Sequence, residues 1–439
     1  MRKDMRIPLA LEVLEPRTML SGNVTAAVVG GSLVIGGDAA ANDIVLDQSG
    51  LTSDQVRISS GANATSINNQ SDPIVLNSVT GNLQIKLLKG ADTVLLDGLN
   101  LPGNVAIDGG TGNNTIALNN GTIANNLRIR NGDGDSSVTV AGTAVNNNTE
   151  VFDGAGNNTV SLTGTFGNNV SVQSKRGDNS VTLSGAIVSG NTRIAYGKGT
   201  ATTAIDGSTF GKNLGIWSQA HSGALTMNTS TVNGRMAVYN NKGDTTTNLN
   251  SSTIGTNEDG NFLLQTVLGS GVVSISGVSF GGNASIREMG GVGSVTLANS
   301  TFGRNLTIQS ASKDAADISL QAVEVQGKTK IKTAQGDDTV KIDDSTFHSA
   351  VQINTQLGSD TVKIETQGDS LGPTTLFEGT VQILLGAGDD SLQVGLSGQT
   401  GNSAVFSQVV LFDGGPGTDT LTNSDGNSYT VAPKIVRFE

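Results

Sequence analysis

The sequence predicts an all-β chain wound as a single-stranded parallel β-helix, a β-solenoid with about 22 residues per coil and roughly 14 coils. Three columns of residues predict it. An apolar column runs through Val94, Ile116, Val138, Val160, Val181, Ala204, Leu225 and Thr247. It continues through Val273, Val295, Ile318, Val340, Val362, Leu392 and Leu421. Apart from three longer jumps, its steps stay within one residue of 22. A second column begins at Leu101 and Ile123 and collects Phe166, Phe210, Phe280, Phe302, Phe347, Phe377 and Phe406 out of 11 phenylalanines in the chain. Such a concentration is expected when one core position is stacked coil on coil. The third column is polar. Asn104, Asn126, Asn148, Asn169, Asn191 and Asn213, then Asn261, Asn283 and Asn305, each directly precede a strand, with Arg235 and Lys328 interrupting the series.

Each part of the coil has a local reason. Val160-Ser161-Leu162, Val181-Thr182-Leu183 and Leu306-Thr307-Ile308 alternate apolar and polar residues, the period of a strand with one buried face. Glycine supplies 59 of 439 residues, about twice the ordinary share, which suits many tight turns. Asparagine tolerates the left-handed backbone of a sharp corner, and stacked amides bond along the axis. The asparagine column resembles the ladder of right-handed parallel β-helices of the pectate-lyase type, and the handedness expected here rests on that resemblance. The repeat covers residues 82–421. Residues 22–81 lack the clean period and are expected to form an N-terminal cap or irregular first coils. Residues 422–439, with Tyr429-Thr430-Val431 and Ile435-Val436, are expected to close the other end.

Residues 1–21 differ from the body. Arg2, Lys3 and Arg6 precede the apolar run Ile7–Leu11, which Glu12 and Glu15 break before it reaches the length of a secretory signal core. The string Leu14-Glu15-Pro16-Arg17-Thr18-Met19-Leu20-Ser21 resembles the LEPR-XLL segment of exported planctomycete proteins, with Met19 where leucine is usual. The resemblance implies export to the cell surface or extracellular space.

Composition narrows the function classes. The net charge is −12, which disfavours binding to a phosphate backbone, so no nucleic-acid partner is expected. The absence of cysteine excludes disulfides, thiolate metal sites and cysteine nucleophiles. No run of about 18 apolar residues is present to form a transmembrane helix.

The candidate chemistry lies at the turn before the first apolar column. Asp92, Asn114, Asn158 and Asn179 share one place in the repeat, and near the C-terminus it becomes acidic as Asp337, Asp338, Asp360, Asp389, Asp390 and Asp419. Carboxylates stacked one coil apart repel unless a cation sits between them, so these six are candidate calcium ligands. Gly414–Leu421 resembles one repeats-in-toxin calcium motif, although the spacing here is 22 residues or more instead of nine. The plainer reading is a turn in which Asp or Asn caps backbone amides.

Two of the register jumps insert residues at the same corner of neighbouring coils, near 366–373 and 396–403. Asp369, Ser370, Gln399 and Asn402 are the candidate binding residues there, with a carbohydrate or cell-envelope component as the partner class. The third jump is Asn257–Gly260. His221 and His348 are too far apart to share a site, and no Ser–His–Asp set can be assembled. Lys330, Lys332, Lys341 and Lys363 accompany the acidic coils. Three readings follow. The first is an exported non-enzymatic spacer or adhesin-like protein needing no cofactor. The others are a polysaccharide lyase or hydrolase on the same scaffold, and a calcium-binding surface module.

Overall fold

A computed structural model describes residues 22–256, 260–367, 374–396 and 402–439. They form a right-handed parallel β-solenoid of about 15 turns, about 22 residues per coil, with no helix among the described residues. One coil illustrates the rest. Thr115–Asn119 and Thr122–Ile123 belong to one 31-stranded sheet that bends between them, its two faces termed the first and second sheets, and Leu127–Asn131 to a separate 19-stranded sheet, termed the third. Each strand pairs in parallel with its counterparts one coil before and one coil after. The corner between the first and second sheets is gentle enough that Ser137–Val145 and Thr159–Phe166 run through it unbroken.

The core is the interior of this triangular tube. The phenylalanine column is buried throughout and its rings lie parallel, with centroids 4.8 Å apart for Phe280–Phe302 and 4.9 Å for Phe377–Phe406. That spacing matches the rise between paired strands, so each ring sits offset on the next without distorting the ladder. Tyr429 extends the stack, 4.8 Å from Phe406.

One register differs from the sequence reading. Val181 pairs with Thr203, and Thr203 with Leu225, so Thr203 and not Ala204 occupies the first apolar column. Thr203 is accepted in the core because its hydroxyl meets the buried Tyr196 hydroxyl at 2.9 Å. Apolar matching alone favoured the alanine. With Thr203 in place, both steps are 22 residues.

The solenoid register also extends beyond 82–421. Ser32–Gly36 pairs in parallel with Leu83–Lys86, and Asp43–Asp47 with Thr93–Asp97. Antiparallel strands flank this first coil: Asn23–Val29 against Ser32–Gly36, and Val56–Ser60 against Asp43–Asp47. The C-terminal residues add a final parallel coil through Thr420–Asn423, Ser428–Tyr429 and Lys434–Val436.

Candidate functional site

The corner before the first sheet is built by glycine and an acceptor side chain. At Gly388 (φ 143°) an added Cβ would fall 1.9 Å from the Gly358 carbonyl oxygen, so close coil contact there requires glycine. The second residue after this glycine, Asp or Asn, turns inward and caps a backbone amide of the preceding coil. Ala316 N–H donates to Asp338 Oδ1 at 2.7 Å, Asp338 N–H to Asp360 Oδ1 at 2.8 Å, Asp360 N–H to Asp390 Oδ1 at 2.7 Å and Asp390 N–H to Asp419 Oδ1 at 2.9 Å. Near the other end Asn42 N–H donates to Asp92 Oδ1 at 2.7 Å, and Ser136 N–H to Asn158 Oδ1 at 3.2 Å.

The six acidic candidates therefore separate into two rows. Asp338, Asp360, Asp390 and Asp419 form a column at most 2% exposed. Asp337 and Asp389 stand exposed, one residue earlier, and cap the amides of Ser359 at 2.8 Å and Thr418 at 2.9 Å. In the buried row every Oδ1 is engaged, while the four Oδ2 atoms are buried without a hydrogen-bond partner. Burial raises the carboxyls of Asp360 and Asp390 to about 6, and Asp338 is raised for the same reason. Neighbouring carboxylates along the column add to this. Asp338, Asp360 and Asp390 therefore hold protons where a solvated carboxylate would release them. Two other inward acids stand alone. Asp153, bonded by Asn131 Nδ2 at 2.9 Å, is pushed up to about 6, and Glu288 to about 7, both chiefly by burial.

Of the candidate binding residues, Asp369, Ser370 and Gln399 lie outside the described residues, as does most of Asn257–Gly260. Asn402, expected on a loop surface, is fully buried, and its carbonyl accepts the Leu396 N–H at 3.0 Å. The lysines of the acidic coils do not approach the buried column. Lys330 and Lys332 project from the third sheet, while Lys341 and Lys363 stack on the outside of the first, where Lys341 meets exposed Asp317 at 3.8 Å.

Two arrangements were not singled out in the sequence. Asp343, Asp344 and Glu365 offer carboxylate oxygens within 4.8 Å of one another at the corner between the first and second sheets. Fully buried Glu365 uses Oε1 to accept the Asp344 N–H at 2.9 Å and the Thr375 N–H at 2.5 Å, and its Oε2 is buried without a partner. The signal was present as acidic residues at consecutive strand ends, but the inserted residues after Glu365 hid their alignment. The second is His348, whose Nδ1 lies 2.8 Å from Glu378 and whose Nε2 lies 3.1 Å from Glu324. These hydrogen bonds raise the imidazole above its ordinary range, Glu378 contributing most.

No protein-family model, no curated protein and no solved structure matches this chain.

Proposed function

We propose that the chain is an exported, non-catalytic rod that serves as a spacer or adhesin-like module at the cell surface or in the extracellular matrix. The observation that carries this reading is the use made of the repeated acids. They cap the backbone of the adjoining coil, with the inner row buried in its turns, and among the described residues the lysines of these coils lie on outer faces. Catalysis on a polysaccharide needs a carboxylate or cation within hydrogen-bond reach of bound substrate, and these side chains are committed to the fold. The resemblance of residues 14–21 to LEPR-XLL segments supports the exported location.

The test is incubation of the purified chain with a panel of neutral and acidic polysaccharides, in the presence of calcium, with new chain ends measured. Absence of cleavage is the expected outcome. Cleavage of any member overturns the non-catalytic reading. Surface labelling of intact cells tests the location, and retention of the chain in the cytoplasm would sink it.

Calcium binding is the second reading, favoured by the convergence of Asp343, Asp344 and Glu365 with its partnerless inner oxygen. It predicts a melting temperature that rises with calcium and falls on chelation. Equal melting in both conditions removes it.

A further inference from the structure

The outer face of the third sheet differs from the rest of this acidic protein. On its strands from Leu127 to Lys332 the outward side chains include Arg130, Lys175, Arg193, Arg287, Lys330 and Lys332. The lone outward carboxylate among them, Glu150, is matched by Arg128 at 3.5 Å. Asp153 and Glu288, the other acids of these strands, point inward and are buried. A chain of net charge −12 thus gathers unmatched positive charge on one face. The face spans nine coil steps, about 43 Å at the usual strand spacing.

Aromatic rings lie among these cations. The chain has one tryptophan and three tyrosines, and Trp217 and Tyr239 occupy the same outward position on adjacent coils. Their planes are 14° apart and their centroids 6.1 Å apart. The indole folds back onto a small residue, and a small residue precedes Tyr239 at the same spacing. A Cβ at Gly215 would lie 2.0 Å from the Trp217 ring, and Ala237, two residues before Tyr239, is only 8% exposed. Gly215 therefore leaves room for the indole against the backbone of its own strand. Arg193 holds its guanidinium 5.2 Å from the Trp217 centroid, and Lys175 stands 5.2 Å from the ring of Phe152. Beside Phe152 the face dips into a groove of about 310 Å³, lined by Arg128, Arg130, Glu150 and Gln173.

We propose that this face binds an extended acidic polysaccharide, with Trp217 and Tyr239 as the platform for its sugar rings. The C–H face of a pyranose carries partial positive charge and packs on the negative face of an aromatic ring. A uronate carboxylate beside it meets the fork of Arg193. The remaining cations engage further residues of the same polymer, and the contacts combine through effective concentration. A polynucleotide has a similar pairing of flat ring and negative charge. Its binding is the competing outcome, and oligo-dT tests it. This inference goes beyond the spacer reading, which stands whether or not the face binds a glycan.

The test titrates the full chain with alginate oligosaccharides, using dextran and oligo-dT as comparison ligands. Trp217 reports directly, because it is the single tryptophan of the chain. The expected result is a shift of its emission with alginate, weakened by salt, and no response to dextran. By calorimetry, Trp217→Ala and Tyr239→Ala are each expected to weaken alginate binding about tenfold, and Arg193→Ala about fivefold. Melting curves identify any variant that fails to fold. The proposal is overturned by an absence of alginate binding, by binding that none of the three variants alters, by equal binding of dextran, or by tighter binding of oligo-dT.

Discussion

The same inward corner position is filled by amides in one stretch of the solenoid and by carboxylic acids in another. Asn114, Asn158 and Asn179 hold it early, and Asp338, Asp360, Asp390 and Asp419 hold it late, each almost fully buried. Both side chains present an oxygen to a backbone amide of the preceding coil. They differ in the second atom. Asn158 Nδ2 donates to Gly156 O and to Asn179 Oδ1, both at 2.9 Å, and Asn179 Nδ2 donates to Gly177 O at 2.7 Å. The aspartates have no donor there, and their Oδ2 atoms are buried without partners. These side chains share one acceptor at this corner, whereas Ala201, Gly223, Gly271 and Gly293 fill the same position in middle coils without one. What occupies the other branch decides whether the corner is indifferent to pH.

The largest expected effect breaks the amide stretch. Asn158→Ala removes the acceptor for the Ser136 N–H and two donated bonds together, and is expected to cost about 1–3 kcal/mol at any pH from 4 to 8. Chemical denaturation measures the loss, and faster hydrogen exchange at the Ser136 amide locates it. Asn158→Asp is more selective. It keeps the acceptor and imports the defect of the late coils, so it is expected to cost about 1–2 kcal/mol near pH 7 and less towards pH 4.

The converse change is Asp360→Asn combined with Asp390→Asn. Both acids have folded-state values raised to about 6 from an ordinary 3.8. Below about pH 4 folded and unfolded chains both hold these protons, so burial is not opposed by charge. Between about 4 and 6 the unfolded chain releases protons first, and the wild type loses stability as pH rises. The double variant is expected to lack that loss and to melt a few degrees higher than wild type at pH 7, with the gap closing by pH 4. An equal gap at both pH values would show that charge is not the difference between the two stretches.

The smallest effect is a control at the surface. His348 is raised by Glu378 and Glu324, so its contribution is present below its ordinary 6.5 and is lost as pH rises through its folded value. That is the same direction as the buried acids. Glu378→Gln is expected to change stability by less than about 1 kcal/mol, because the pair is partly solvated. A larger change would assign part of the pH response to the histidine.

These contrasts also explain what was legible in the sequence. The stacked positions were readable because one coil's constraint recurs in the next, so Phe377 and Phe406 announce each other. The Thr203 register was not, because the partner that lets a hydroxyl enter the core, Tyr196, belongs to a different strand of the coil. The acidic row was visible as a row, but the inward turn of Asp338 and the outward turn of Asp337 are set by alternation at a corner. Glycine at Gly336, with φ 94°, decides that geometry. The Asp343, Asp344 and Glu365 cluster was hidden because the residues inserted after Glu365 interrupt the repeat. The aromatic platform follows from Gly215-Ile216-Trp217 above Ala237-Val238-Tyr239, a pairing that becomes meaningful only once both strands share a face.

The polar ladders have a further consequence for inheritance. A coil carries its own core residue and, in most cases, its own corner asparagine, and asks its neighbours only for the complementary atoms. A duplicated or excised coil would thus bring or remove a self-consistent set, leaving the chemistry of the junction unchanged. Span can be adjusted in whole increments of about 4.8 Å. The molecule is in this sense a ruler, and copying errors of one repeat are the means by which its graduations are added or erased.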